Sequence, residues 1–299
     1  MKSLLHILFE KIFLINCWLL LPVFLISIYS TFDEGSIIFA QDNRTIIESS
    51  EIDSLPLVES NVPSIEQYYS NLLKKNPDDS IALNNIGMLY LQLGKTEQAE
   101  KYLLKAVKLY PCDYLTHYNL GTFYGYLNET QNAIGHLNMA VELNPKSDEV
   151  FSALGTFYFR ENKLAGAEKS FSSALDINPK NVDALFGLTS VYQNENQIDK
   201  AIETGKKLLA VDNQYQQLHL ALSNLYLLKN NLPEALVNAK EEQSLYPDEP
   251  ESYYMLALIY NKTDNEIKYW EMVKKLKELI KTNDSAQRLV NSLSRKKIK

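Results

Sequence analysis

The sequence predicts an all-α protein, an array of helical hairpins preceded by an apolar N-terminal segment. Three observations predict it. Prolines recur at a step of 34 residues, residues of one character recur at other positions of the same step, and 21 consecutive uncharged residues run from Ile12 to Phe32. A fixed period of roughly 20–50 residues is the sequence signature of a repeat architecture. We therefore expect one supersecondary unit to be stacked several times.

Composition excludes several classes of protein. With 45% hydrophobic residues in 299, the chain has the apolar content of a folded protein. A net charge of −7 argues against a nucleic-acid binder, which needs a basic surface. The two cysteines, Cys17 and Cys112, offer neither a disulfide framework nor a cysteine zinc site.

The apolar segment has the length of a membrane span. A helix over Ile12–Phe32 would cover roughly 30 Å, the thickness of the hydrocarbon layer. Lysines precede this segment and acidic residues follow it, which favours a cytoplasmic N-terminus and repeats on the non-cytoplasmic side. We expect residues 1–32 to be a signal-anchor, a single transmembrane helix, and residues 33–62 to be a flexible acidic linker.

A cleaved signal peptide is the alternative. Its apolar region is normally about 7–15 residues and ends in a small-x-small cleavage site. The best candidate site, Ile38-Phe39-Ala40, has a bulky residue three positions before the cut. Cleavage there would release a soluble secreted or periplasmic protein that begins at Gln41.

Several positions keep the 34-residue step without any alignment. The prolines are Pro77, Pro111, Pro145, Pro179 and Pro247, and Asn213 takes the sixth place. Small residues, where two helices are expected to approach closely, are Gly87, Gly121, Gly155, Thr189, Ser223 and Ala257. Tyrosine recurs at Tyr90, Tyr124, Tyr158, Tyr192, Tyr226 and Tyr260, and alanine at Ala99, Ala133, Ala167, Ala201 and Ala235.

The position between the two helices of each unit predicts the turn. It holds Gly94, Asn128, Asn162, Asn196, Asn230 and Asp264. Glycine, and after it Asn or Asp, accepts the left-handed backbone conformation that ends a helix abruptly. We expect a left-handed residue at all six positions.

Residues 148–181 carry the pattern most fully. They read DEVFSALGTFYFRENKLAGAEKSFSSALDINPKN, with Phe151, Leu154, Gly155 and Tyr158 on the first helix, Ala167 and Phe171 on the second, and Pro179 at the end. This spacing resembles the tetratricopeptide repeat. The resemblance implies a right-handed superhelical solenoid. The array is expected over 63–283, with a partial unit, six full units, and a capping helix with a basic tail after them: 63–79, 80–113, 114–147, 148–181, 182–215, 216–249, 250–283 and 284–299.

The repeats leave no room for a catalytic domain. No glycine-rich phosphate loop, serine nucleophile elbow or HExxH sequence is present. His117 and His219 share one repeat position three repeats apart, roughly 30 Å, and cannot bind the same metal. His136 lies in the second helix of the His117 unit, and we interpret all three as ordinary core or surface residues. We expect a protein that is not an enzyme and that has no cofactor or metal.

The resemblance also implies where a partner binds. In this family the first helices line a concave groove, and six positions of each unit usually face it. Transferred to this sequence, the predicted groove residues are Asn84, Met88, Tyr118, Asn119, Thr122, Tyr126, Phe159, Arg160, Phe186, Ser190, Gln193, Leu220, Asn224 and Tyr254. An exposed aromatic stripe usually indicates a protein or peptide partner. Arg160 is the one cation in the middle of the groove, where it can pair with an acidic partner residue.

One recognition mode of the family is not expected here. The clamp that holds acidic chaperone C-termini needs five polar residues, and of the corresponding positions only Asn119 matches. We therefore expect a non-enzymatic, membrane-anchored scaffold that binds a protein or peptide and supports assembly of a complex. It would have no nucleic-acid or small-molecule ligand. The alternatives are a soluble secreted or periplasmic adaptor, and a regulatory subunit of a separate enzyme.

Overall fold

The computed structural model of the protein describes residues 62–215, 217–281 and 283–296, and within these ranges the secondary structure is 14 helices without a strand. The all-α prediction is thereby confirmed. The chain divides into two compact units, Met1–Pro111 and Cys112–Lys299. The predicted anchor at residues 1–32, the cleavage site at Ala40 and nearly all of the predicted linker lie outside the described residues. In the described ranges, no helix is long and apolar enough to cross a membrane.

The first unit contains three described helices. They are α1 Val62–Lys75, α2 Ser80–Gln92 and α3 Thr96–Leu109. Helices α2 and α3 form a hairpin, and α1 packs against α2. The hydroxyl of Tyr90 donates to Glu66 of α1 at 2.8 Å, and burial together with this carboxylate raises the pKa of Tyr90 to about 12. The recurring tyrosine therefore joins its own hairpin to the helix before it.

The second unit contains five hairpins and a final helix. Its helices are α4 Tyr114–Tyr126, α5 Thr130–Leu143, α6 Asp148–Arg160, α7 Leu164–Ile177, α8 Val182–Asn194, α9 Ile198–Val211, α10 Leu218–Leu228, α11 Leu232–Leu245, α12 Pro250–Lys262, α13 Glu266–Leu279 and α14 Asp284–Lys296. The second helix of each hairpin packs on the first helix of the next. Helix α14 packs against α12 and α13, and buries Ala286, Leu289, Val290 and Leu293.

The core lies between consecutive hairpins. Phe171 of α7 is 2% exposed and packs in a cluster with Ala184, Leu188 and Val191 of α8. Burying a side chain of this size contributes about 1.5–3 kcal/mol. A Cβ atom at Gly155 would lie 2.7 Å from its ring, and one at Gly187 would lie 2.2 Å from it. The predicted close approach at Gly155 is confirmed, because only a residue without Cβ leaves space for the ring.

The turns follow the prediction at all six positions. Gly94, Asn128, Asn162, Asn196, Asn230 and Asp264 have φ between 51° and 67°. At the third of these turns Asn162 N donates to Phe159 O at 2.9 Å and Lys163 N to Tyr158 O at 2.8 Å. These are the two hydrogen bonds of a Schellman motif, which satisfy carbonyls that the helix end leaves unpaired.

Most first helices begin with a capping side chain. Asp79, Asp113, Ser147 and Asn181 each accept a hydrogen bond from the backbone N–H three residues later. Such caps satisfy amide groups that have no partner within the helix.

The fifth hairpin departs from this rule, because Tyr215 stands in the capping position. The unit predicted to start at residue 216 has its helix, α10, begin at Leu218 instead. Gln217 before it is left-handed, with φ 65°. Glu242 of α11 supplies the missing cap: its carboxylate accepts from Gln217 N at 3.1 Å and from Leu220 N at 3.3 Å. Since a tyrosine side chain cannot accept these bonds, the facing helix provides them.

Candidate partner-binding face

We call the side of the second unit that carries the predicted groove positions of α4, α6, α8, α10 and α12 the first-helix face. The predicted residues fall into three groups by exposure. Tyr126 and Arg160 are exposed. Half-buried residues are Tyr118, Phe159, Phe186, Ser190, Gln193 and Asn224 of this face, and Met88 of α2 in the other unit. Buried residues are Asn119, Thr122, Leu220 and Tyr254 of this face, and Asn84 of α2.

Burial corrects the expectation that all of these side chains are open to solvent. Asn84 donates to Ser80 O at 3.0 Å, and Thr122 donates to Tyr118 O at 3.0 Å. The Tyr254 hydroxyl lies 3.3 Å from Ser292 Oγ, because α14 packs on α12. Leu220, 5% exposed, is held at the capped start of α10, and Asn119 is 7% exposed. For these five, contact with a partner stays a prediction.

The half-buried residues include a pair of aromatic rings. Phe186 of α8 and Tyr215 have ring centroids 5.4 Å apart at an interplanar angle of 37°. Tyr215 can take this place because Glu242, and not residue 215, caps α10. Sequence reasoning missed Tyr215; a tyrosine in a position otherwise held by Asp, Ser or Asn is the signal that indicates it.

A carboxylate lies beside the ring pair. Asp183 begins the first turn of α8, one turn before Phe186, and its side chain keeps contact with solvent. Nearby protein atoms nevertheless displace enough water to raise the pKa of its carboxyl above the usual value. Burial, and then the charges of Asp183 and Asp212, raise the pKa of Tyr215. Asp183 forms no hydrogen bond or ion pair with another described residue, so its charge is not compensated there.

Acidic residues recur at the position of Asp183. Glu149 of α6 and Glu251 of α12 occupy the same place in their hairpins. Glu149 accepts from Ser147 Oγ at 2.7 Å, and Glu251 accepts from Ser285 Oγ at 3.0 Å. The first-helix face therefore carries three carboxylates at one repeat position, of which Asp183 is the one without a hydrogen-bonding side chain among the described residues.

Arg160 is engaged within the protein. Its Nη2 donates to Asn128 Oδ1, and its guanidinium lies over the ring of Phe157 at 5.4 Å. Asn128 forms the turn of the preceding hairpin, so the arginine links two repeats. Pairing of Arg160 with an acidic partner would compete with these contacts. The carboxylates around Phe186 make a cationic partner segment the better match.

Two histidines that appeared unremarkable in the sequence meet in one hairpin. His117 Nδ1 and His136 Nδ1 are 3.1 Å apart, and the ring of Tyr124 stacks on His136 with centroids at 5.5 Å. Burial, and then the neighbouring His117, lower the pKa of His136. At the same places of the fifth hairpin His219 Nδ1 lies 3.1 Å from Asn238 Oδ1. Among the described residues, no group of three or more His, Cys, Asp or Glu is placed to hold a metal ion.

Comparison with known families and structures agrees with the repeat pattern. Family models described as tetratricopeptide repeat match residues 80–111 and 158–204. A search of curated proteins found no match.

Solved structures share the fold at low identity. PilW, described as a widely conserved type IV pilus biogenesis factor, is 21% identical with a TM-score of 0.63, over 71% of this chain and 98% of its own. PilF of Pseudomonas aeruginosa is 18% identical with a TM-score of 0.61, over 70% and 95%. YrrB, described as having an unusual peptide-binding site, is 19% identical with a TM-score of 0.52, over 62% and 96%.

Proposed function

Because this chain is a tetratricopeptide-repeat protein, we propose that it is a non-enzymatic scaffold that binds a segment of a partner protein on the first-helix face. The observation that carries the proposal is the Phe186–Tyr215 ring pair beside the uncompensated carboxylate of Asp183. Binding a partner there would support assembly of a protein complex. The solved structure of YrrB, whose description names a peptide-binding site, makes peptide binding a reasonable use of this fold.

The chemistry of the ring pair indicates what the partner segment contains. Half-buried aromatic rings offer a large apolar area at little cost in side-chain entropy, and such residues often dominate binding energy. A cation above an aromatic ring gains electrostatic attraction of about 0.5–2 kcal/mol. Asp183 would strengthen this attraction, since a desolvated carboxylate gains most from an opposite charge. We therefore expect a segment with a Lys or Arg next to apolar residues.

Membrane anchoring completes the proposal. Residues 12–32 would hold the chain in a membrane, with the array on the non-cytoplasmic side. An anchor raises the local concentration of the scaffold for a membrane-bound partner, and so increases avidity without new contacts. The alternative is a secreted or periplasmic adaptor. Mass spectrometry of the mature N-terminus distinguishes the two, since cleavage would leave Gln41 as the first residue.

The binding proposal is tested by affinity capture with full-length protein extracted in mild detergent. Phe186→Ala and Asp183→Asn are compared with Asp176→Asn, a control at an exposed position of α7. We expect at least a tenfold loss of captured partner with the first two variants and none with the control. Circular dichroism should be the same for all of them. Equal recovery by Phe186→Ala and the unmodified protein would contradict the first-helix face as the binding surface.

A truncation separates recognition from placement. Protein lacking residues 1–62 should recover the same partner as the full chain, with lower yield if the partner is membrane-bound. Recovery by the full chain alone would mean that residues 1–62 take part in recognition, and the role of the first-helix face would then be rejected.

A further inference from the structure

Helix α13 has an apolar and basic side that no other part of the described chain covers. Ile267 is 84% exposed and Trp270 is 50% exposed. Lys274 and Lys277 follow at helical spacing on the same side and are exposed. The opposite side of α13 buries Tyr269, Met272, Val273 and Leu276. We call Ile267, Trp270, Lys274 and Lys277 the α13 outer face.

The repeat architecture does not explain the isoleucine on this face. At the same place in other hairpins stand Glu97, Gln131 and Asp199, which are polar and exposed. The place of Trp270 is apolar elsewhere, where Ile134 and Ile202 are 8% and 7% exposed. An isoleucine and an indole ring open to water on one side of a helix form an apolar patch that packing within the chain does not require.

Charge is concentrated in the same region. Residues 266–299 contain ten Lys or Arg and four Asp or Glu, although the whole chain has a net charge of −7. Lys275 is paired with Glu278 at 3.3 Å. Lys274 and Lys277 form no ion pair with any described residue. This end of the protein therefore presents positive charge beside its exposed apolar side chains.

We propose that the α13 outer face binds the surface of a lipid bilayer that contains anionic lipids. Tryptophan is enriched at the boundary between headgroups and acyl chains, where its ring is apolar on one side and its N–H is hydrated. Isoleucine adds apolar area, and each lysine near an anionic surface contributes about 1 kcal/mol of attraction. A single convex helix side suits a flat bilayer, since it has no cleft to enclose a peptide. This contact is separate from the first-helix face and does not depend on a protein partner.

Fluorescence of Trp270 tests the proposal in the full chain. The sequence has two tryptophans, so Trp18→Phe leaves Trp270 as the single fluorophore. The protein is reconstituted into vesicles of phosphatidylcholine alone, or with about 30% phosphatidylglycerol, in each case with and without brominated acyl chains. We expect a blue shift and quenching of Trp270 in the anionic vesicles, at least threefold stronger than in the neutral ones. Raising the salt concentration to about 0.5 M should reverse most of it, because the attraction is screened.

Charge reversal supplies the matched control. Lys274→Glu with Lys277→Glu should abolish the difference between the two vesicle compositions. Lys240→Glu, at the place in α11 that Lys274 has in α13, should leave it unchanged. Quenching that is equal in neutral and anionic vesicles would overturn the proposal. So would a shift of Trp270 on adding polyglutamate without any quenching by brominated lipid, which would indicate an acidic protein as the partner.

Discussion

The third and fifth hairpins, α6–α7 and α10–α11, show two ways of building the same unit. The third is capped by the residue directly before it, since Ser147 Oγ accepts from Val150 N, and it buries Phe171 against Gly155. The fifth has Ala239 where the third has Phe171, and Ser223 where the third has Gly155, with Ser223 Oγ donating to Ala235 O at 2.7 Å. Its cap comes from Glu242. The third hairpin is thus stabilised mainly by apolar packing, and the fifth more by polar contacts.

This difference has a consequence for the first-helix face. Where the cap is local, residue 147 or 181 is committed to the helix start. Where Glu242 reaches across from α11, residue 215 no longer needs to cap, and its ring lies against Phe186. Burial raises the pKa of Glu242, while its two backbone hydrogen bonds lower it. The buried carboxylate is tolerated because it accepts two amide hydrogens at a helix N-terminus, where the dipole favours negative charge.

Truncating the ring that fills the third hairpin should have the largest effect. Phe171→Ala is expected to lower the free energy of unfolding by about 3–5 kcal/mol, since it leaves a cavity between two glycines that cannot fill it. Urea denaturation followed by circular dichroism measures the loss. The matched control, Ala239→Gly in the fifth hairpin, removes one methyl group and should cost about 1 kcal/mol. Similar losses in the two hairpins would contradict the contrast between them.

Removing the distant cap of the fifth hairpin should have the next largest effect. Glu242→Ala leaves Gln217 N and Leu220 N without their acceptor, at an expected cost of about 2–3 kcal/mol. Hydrogen exchange should accelerate at the start of α10 before it does elsewhere. Glu241→Ala, at an exposed neighbouring position, serves as the control. Exchange at α10 that is unchanged by Glu242→Ala would mean that the helix start does not depend on this carboxylate.

A local cap should matter less than the distant one. Asn181 Oδ1 accepts from Ala184 N at 2.8 Å, and its Nδ2 donates to Asp148 at 2.9 Å. Asn181→Ala is expected to lower the free energy of unfolding by about 1–2 kcal/mol, and Asn181→Asp, which keeps an acceptor, by less. The urea midpoints of the two variants decide this. A larger loss for the aspartate would show that the link to Asp148 outweighs the cap.

The smallest expected effect is a change in pH dependence. Because the pKa of His136 is lowered in the folded protein, its contribution to stability is complete above the ordinary histidine pKa and is lost as the pH falls through the folded value. His136→Asn reproduces the His219–Asn238 pair of the fifth hairpin. The urea midpoint of this variant should fall less between pH 7.5 and about 5 than that of the unmodified protein. Parallel curves would show that the His117–His136 contact does not titrate in this range.

Regular positions were predictable because each repeat imposes the same local requirement. The left-handed turns, the small residues facing a ring and the start of most first helices all follow from residue type and period, as Asn162, Gly155 and Val182 show. The predicted groove residues were less well determined. A position that faces outward in the family average is buried here when a neighbour covers it, as α14 covers Tyr254.

The sequence by itself determined the helices, the turns and the membership in a repeat family, because these depend on short-range preferences repeated every 34 residues. Only the tertiary structure decided that Glu242 caps α10, that His117 meets His136 and that Tyr215 joins Phe186. Each of these contacts joins side chains from different helices or from a helix and a loop. Their formation depends on how the helices pack and which polar groups remain without a partner, and a periodic pattern does not encode that.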